Sequence, residues 1–158
     1  MPSIAGIVWS DLRIENPPVA SLEHVREWEK KYNYTVPEDY REIVRFNQGK
    51  CPELSDLVAH RKTQLDLLYS LFHFEEKLDS DFCLGSSPFN IQDYCPGSLE
   101  FCYWGGNIFA FDFGTEPHQK NPPIVYWEHE EKEVVPVVDS FTELLTRAVT
   151  GTLFDVMP

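Results

Sequence analysis

LEFCYWGGNIFAFDF, residues 99–113, carries the strongest structural signal in the sequence. Two runs rich in aromatic and branched residues, Leu99–Trp104 and Ile108–Phe113, flank Gly105-Gly106-Asn107. Glycine and asparagine tolerate the positive φ values that a tight reversal requires, so this stretch predicts an antiparallel β-hairpin. Phenylalanine occupies every second position of the second run, which predicts a strand with one aromatic face.

A second hairpin and a helix are predicted after the first. Ile124–His129 and Glu133–Val138 are the two strand-like runs, and Glu130–Lys132 provides the turn between them. Ser140-Phe-Thr-Glu143 matches a capping box, in which the serine caps the helix and the glutamate reaches back to its start. The apolar residues that follow share one helical face, and Gly151 is the expected end of this helix.

Two helices are predicted near the N-terminus. Pro17-Pro18 closes an N-terminal extension, residues 1–16, and Ser21 is a suitable N-cap for a helix over residues 22–32. Pro37 suits the first position of a second helix with acidic residues in its first turn, and Gly49 is its expected stop.

The middle of the chain has weaker signals. Cys51–Thr63 is predicted as an irregular loop or a helical turn, and Asp79–Pro96 as a loop. Leu65–Phe74 contains enough aromatic and branched residues for a strand, with a helix as the alternative.

These elements fit a single α+β domain spanning residues 1–158. A chain of 158 residues suits one domain, and a hydrophobic content of 42% excludes wholesale disorder. Two helices, a run of strands and a final helix predict an antiparallel sheet with an N-terminal helix pair and a C-terminal helix packed on it.

The charge of the chain argues against two classes of partner. The formal net charge is −13, and residues 61–158 contribute most of it, with 16 acidic and 6 basic residues. Binding to nucleic acid or to an anionic membrane needs a clustered basic surface, so neither partner is expected. An acidic surface of this kind either keeps the protein soluble or attracts a basic partner.

The cysteines and the apolar runs predict a cytoplasmic protein. Cys51, Cys83, Cys95 and Cys102 show no Cys-x-x-Cys spacing, so we expect unpaired thiols in a reducing compartment rather than disulfides or a zinc site. No signal-peptide pattern is present, and no run approaches the roughly 20 apolar residues of a membrane span.

No motif for catalysis was found. The sequence lacks a phosphate-binding loop, a Gly-x-Ser-x-Gly elbow and a His-Glu-x-x-His pair. His129 stands among Glu128, Glu130 and Glu131, a set that could bind a metal but is equally typical of an exposed hairpin tip. We therefore expect no catalytic residue, no metal ligand and no cofactor, and keep a small enzyme without known motifs as the third alternative for function.

Two acidic runs, residues 75–81 and 128–133, are the candidate partner-binding segments. Each has four acids and one lysine, and charge complementarity with a basic protein would speed association. The alternative is that both are merely solvated, and that the two tryptophans nearby belong to the core. The candidate partner-binding residues are Glu75, Glu76, Asp79, Asp81, Trp104, Trp127, Glu128, Glu130, Glu131 and Glu133.

The order of several motifs is more specific than any one of them. The predicted helix 22–32 is followed by Val36-Pro37-Glu38-Asp39-Tyr40-Arg41 and then by Asn47-Gln48-Gly49. The aromatic hairpin, Val125-Tyr126-Trp127-Glu128-His129 and Ser140–Leu145 come later. Over residues 17–150 the chain resembles the SUKH superfamily, which joins yeast Smi/Knr cell-wall regulators to bacterial immunity proteins. Two departures are Val36 in place of leucine and Gln48 inserted between Asn47 and Gly49.

The resemblance implies a strongly bent antiparallel sheet and a role in binding proteins. In bacterial members that role is usually to neutralise a toxin, often a nuclease, which would make the partner a basic toxin domain. The alternative implied by the fungal members is a regulatory scaffold in cell-wall glucan synthesis. Both differ from an enzyme in needing a surface rather than a catalytic pocket.

Overall fold

Three α-helices and two antiparallel sheets form the part of the chain that the computed structural model describes, residues 7–11, 15–54, 64–68, 70–74, 83–85 and 91–158. The helices are α1 (Leu22–Tyr32), α2 (Glu38–Val44) and α3 (Phe141–Thr150). The smaller sheet pairs β1 (Ile7–Asp11) with β2 (Lys50–Leu54). The larger sheet has the order β3 (Ser70–Leu71), β4 (Ser98–Trp104), β5 (Asn107–Asp112), β6 (Ile124–Glu128) and β7 (Glu133–Val138). The predicted α+β class is confirmed.

Both predicted hairpins are confirmed. Gly105 and Gly106 form the turn between β4 and β5 with φ values of 55° and 90°. The β4–β5 register shifts between Glu100 and Cys102, which marks an irregularity in the pairing. The aromatic face of β5 lies in the main core, whereas Ile108 and Ala110 belong to a smaller cluster on the opposite face of the sheet.

The helix starts follow the sequence signals closely. The Ser21 Oγ accepts a hydrogen bond from the His24 amide at 3.0 Å, as expected of an N-cap. Pro37 is the N-cap of α2 rather than its first residue. The prediction that α2 continues to Gly49 is wrong, because α2 ends at Val44 and residues 45–49 form turns.

Gln48, the inserted residue, has a defined structural role. Its side chain is fully buried. Its Nε2 donates to the Pro18 carbonyl at 2.7 Å, and its Oε1 accepts from the Phe74 amide at 3.1 Å. The insertion therefore ties the segment before α1 to the segment after β3.

The middle of the chain differs most from the prediction. Leu65–Leu68 is a 3₁₀ helix, and of the described residues in the predicted strand only Ser70–Leu71 is paired in the larger sheet. The described leucines of this segment are buried, and a mostly apolar run this short has no period that separates a strand from a helical turn. The strand β2 was also missed, as was β1 within the predicted N-terminal extension. Residues 55–63 and most of the predicted loop 79–96 lie outside the described residues.

The start of α3 is capped from two directions. The Ser140 Oγ accepts from the Glu143 amide at 3.1 Å, as predicted. The Glu143 carboxylate accepts from the Asp139 amide at 3.1 Å, so it reaches one residue further back than the capping box required. From α2, Asp39 Oδ2 accepts from the amide and the hydroxyl of Thr142 at 2.8 and 3.0 Å, which fixes α3 against α2.

Tyr40 of α2 lies at the centre of the main core. Its ring centroid is 5.5 and 5.4 Å from those of Phe101 and Phe111 on the sheet, and 5.0 Å from that of Phe141 on α3. Its hydroxyl donates to the Phe72 carbonyl, so the polar end of this fully buried side chain is also satisfied.

Replacing Phe141 with alanine should lower the free energy of unfolding by about 3–5 kcal/mol, because it empties a site between Tyr40 and Phe101. Phe154, 59% exposed, is the matched control, and Phe154→Ala should change stability by less than about 0.5 kcal/mol. Denaturant unfolding of both variants measures the difference. A loss below about 1 kcal/mol for Phe141→Ala would contradict the docking of α3 on this core.

Glu143→Gln should destabilise the protein in a pH-dependent way. Hydrogen bonding from the Asp139 amide and then from Arg147 lowers the pKa of Glu143 in the folded state. A lowered folded pKa gives stability that is present above the unfolded pKa and is lost as pH falls through the folded pKa. The wild-type advantage should therefore be seen at pH 7, at less than about 1 kcal/mol for so exposed a pair, and should vanish in acid. Urea unfolding at several pH values measures it, and an advantage that persists in acid would contradict the assignment.

Candidate protein-binding site

The two hairpin turns lie side by side at one end of the larger sheet. β5 and β6 are antiparallel neighbours with Ile108 opposite Trp127, so the turn after β4 is adjacent to the turn after β6. The His129 amide and ring Nδ1 each lie 3.3 Å from the Asn107 Oδ1. A Cβ atom at Gly106 would lie 2.8 Å from the His129 ring, so glycine permits this close contact.

The second acidic run forms the tip of the β6–β7 hairpin, as predicted. Glu130, Glu131 and Glu133 are exposed and Glu128 is half-buried. The Glu128 Oε2 accepts from the Glu131 amide at 2.6 Å. This carboxylate therefore stabilises the turn. The Glu128 side chain is correspondingly less available for binding a partner.

Two of these glutamates are direct neighbours across the hairpin. Glu128 pairs directly with Glu133 in the β6–β7 register, a like-charge arrangement that disfavours the paired strands. Among the described residues, no lysine or arginine forms an ion pair with any of the four glutamates, whereas Glu42 and Glu143 pair with arginines on their helices. The tip carboxylates are thus unpaired among the described residues.

Trp127 lies half-buried on the sheet face opposite the helices. It packs against the cluster that includes Ile108, and its ring stacks on that of Tyr94, with centroids 5.6 Å apart and planes at 29°. Its indole Nε1 is buried and has no acceptor within the described residues. Tyr94 was not predicted, because it falls in a segment read as a loop, and nothing in the local sequence pairs it with Trp127.

The pKa of Tyr126 is affected by one residue of the tip, Glu128. Burial raises the pKa of its phenol, the charge of Glu128 raises it further, and a hydrogen bond with Asn107 opposes both. The ring is nonetheless part of the main core. The charge of Glu128 therefore affects a group that is packed inside the protein.

The remaining predicted binding residues are placed only in part. Trp104 ends β4, and its backbone pairs with Asn107 at the same end of the sheet. The first acidic run, with Glu75, Glu76, Asp79 and Asp81, lies outside the described residues. The structure thus brings together Trp127 and the four glutamates of the second run.

A cavity of 190 Å³ lies between α1 and the segments at Phe74 and Cys83. Two polar groups on its wall are engaged: the His24 Nε2 lies 3.1 Å from the Phe74 carbonyl, and the Trp28 Nε1 donates to the Leu84 carbonyl at 2.6 Å. The Cys83 thiol is buried. Within the described ranges, no group of three potential ligands is arranged to hold a metal ion.

Comparison with protein families gives a match over residues 19–147 to the SMI1 / KNR4 family (SUKH-1). The chain belongs to this family. The match runs from just before α1 into α3, and SUKH-1 proteins are generally non-enzymatic and associated with binding to toxins. Membership supports an immunity-protein or regulator-type module.

Searches of curated proteins and of solved structures found no match to this SUKH-1 chain. None of the helices in the described ranges is long and apolar enough to cross a membrane.

Two adjacent glycines offer a matched test of the site geometry. Gly106→Ala should destabilise the protein by about 1 kcal/mol more than Gly105→Ala, because Gly106 has the less accessible φ and touches His129, whereas a Cβ at Gly105 meets no atom within 4 Å. Denaturant unfolding measures both. In a His129→Ala background, the steric part of the stability difference between the two glycine variants should disappear. Equal losses of stability for the two glycine variants in the wild-type background would contradict the contact.

Proposed function

We propose that this chain is a non-enzymatic immunity protein that acts in the cytoplasm by neutralising a basic toxin domain. A nuclease suits this role best, because the surfaces with which nucleases hold phosphate are basic. The observation that carries the proposal is the uncompensated charge at the β6–β7 tip, where four carboxylates gather without an ion-pair partner among the described residues.

The charge of the chain supports a fast encounter with such a partner. Most of the net charge of −13 lies after residue 60, and the tip is part of that region. Complementary fields raise association rates well above those of uncharged surfaces. Salt should weaken the effect, because the Debye length falls from about 10 Å at 0.1 M to about 3 Å at 1 M.

Trp127 and Tyr94 support a short-range role for the same end of the sheet. Binding energy in protein interfaces concentrates on aromatic and arginine residues that become fully buried in the complex. Tyr94 is 48% exposed and so has ring area left for a partner to cover. Trp104 and the first acidic run are proposed as further parts of the surface on the sequence pattern alone.

The test is the association rate with the product of the adjacent gene. The variant Glu130→Lys, Glu131→Lys, Glu133→Lys reverses the tip while keeping the Glu128 hydrogen bond that stabilises the turn. Its control is Glu15→Lys, Glu23→Lys, Glu116→Lys, which changes three exposed acids elsewhere and alters the net charge equally. We expect the tip variant to associate at least about 10-fold more slowly than the control at low salt, with the two converging at 1 M.

Two outcomes would overturn the proposal in different ways. Equal rates for the tip variant and its control would remove the tip from the encounter surface. No binding of the adjacent gene's product by the wild type would contradict the immunity role and favour the regulatory scaffold.

A further inference from the structure

Three rings form a row along the acidic end of the sheet. The centroids of Tyr94 and Trp127 are 5.6 Å apart, and those of Trp127 and His129 are 6.4 Å apart. Exposed acids adjoin both ends of the row in sequence, since Asp93 precedes Tyr94 and Glu130 follows His129. We propose that this row is the docking site for an arginine side chain of the basic partner, an inference that rests on the proposed function.

The site is held in place before any partner arrives. Ile91, fully buried, donates its amide to the Glu100 carboxylate at 2.8 Å, and its carbonyl accepts from the Tyr94 amide at 2.9 Å. Gln92 adds a hydrogen bond to the Ser98 carbonyl at 3.1 Å. The turn that presents Tyr94 is thus fixed to β4, and a preorganised site loses less entropy on binding.

Trp127 is also held by its neighbours. Tyr94 stacks on it, and His129, whose ring centroid is 6.4 Å from that of Trp127, is held against Gly106 and Asn107. Trp127 is also packed against the Ile108 cluster, whereas the rings of Tyr94 and His129 are exposed, and Tyr94 is the larger of the two exposed rings. A ligand at this site contacts the Tyr94 ring, which stacks on the Trp127 indole.

The chemistry of the surroundings selects a guanidinium group. A purely apolar group on Tyr94 would gain nothing from the exposed acids that adjoin the row in the sequence, Asp93 and Glu130. A lysine ammonium can pair with these acids but is compact and strongly hydrated. An arginine side chain can lie flat on the ring and also offers N–H groups to the acids that adjoin the row.

The experiment is an NMR titration of the full chain, labelled with ¹⁵N, with two blocked pentapeptides of equal charge. One contains two arginines and glycine, and the other contains two lysines and glycine. The arginine peptide should bind about two- to five-fold more tightly, from the ordinary strength of exposed cation–π contacts. The arginine peptide should also shift the NMR signal of the Trp127 indole N–H. The Trp127→Phe variant identifies this signal, and it removes no hydrogen bond within the described residues.

Three variants separate this inference from the proposed function. Tyr94→Leu should abolish the preference for arginine, Tyr94→Phe should keep it, and Phe154→Leu should keep it as the matched loss of an exposed ring elsewhere. Retained arginine preference in Tyr94→Leu would overturn the inference, as would equal binding of the two peptides by the wild type. Either result leaves the tip's effect on the partner's association rate unaffected, so the two proposals fail separately.

Discussion

The burial of Tyr40 is the interaction on which the rest of the structure depends. Its ring meets aromatic side chains from the sheet and from α3, and its hydroxyl donates to the Phe72 carbonyl, so the polar end of this buried side chain is satisfied. Because α2 also caps α3 through Asp39, these two helices are fixed together against the same face of the sheet. The packing around Tyr40 thus positions the opposite face of the sheet and the hairpin ends, although their residues contribute little to it.

The register of the central strands determines where the candidate site lies. β-Strand pairing leaves no freedom in where a hairpin turn lies once one face of its strands is buried. With the phenylalanine face of β5 in the core, Trp127 must lie on the other face, and Glu128 must face Glu133. A like-charge pair that weakens the hairpin, and four tip carboxylates without an ion-pair partner among the described residues, are features that packing alone does not explain. The proposed cationic partner would account for both.

The sequence was most informative where local chemistry decides the structure. The element boundaries that depend on a hydrogen bond or a φ value were predicted. They lie at Ser21, Ser140, Gly151 and the Gly105-Gly106 turn. β2 was missed because its partner β1 is distant in sequence, and the 3₁₀ helix Leu65–Leu68 because four residues are too few to show a helical period. The same limit applies to the site, since Tyr94 meets Trp127 only through the fold, whereas the tip acids adjoin one another in the chain.

Amide hydrogen exchange of this chain, alone and bound to the adjacent gene's product, tests the central claim most directly. The account predicts slower exchange on binding at Gly106, at residues 129–132 and at Tyr94, with α1 and α2 unchanged, because the partner covers the hairpin ends and leaves the helical face in water. Slower exchange confined to α1 and α2, with the hairpin ends exchanging as in the free protein, would contradict it.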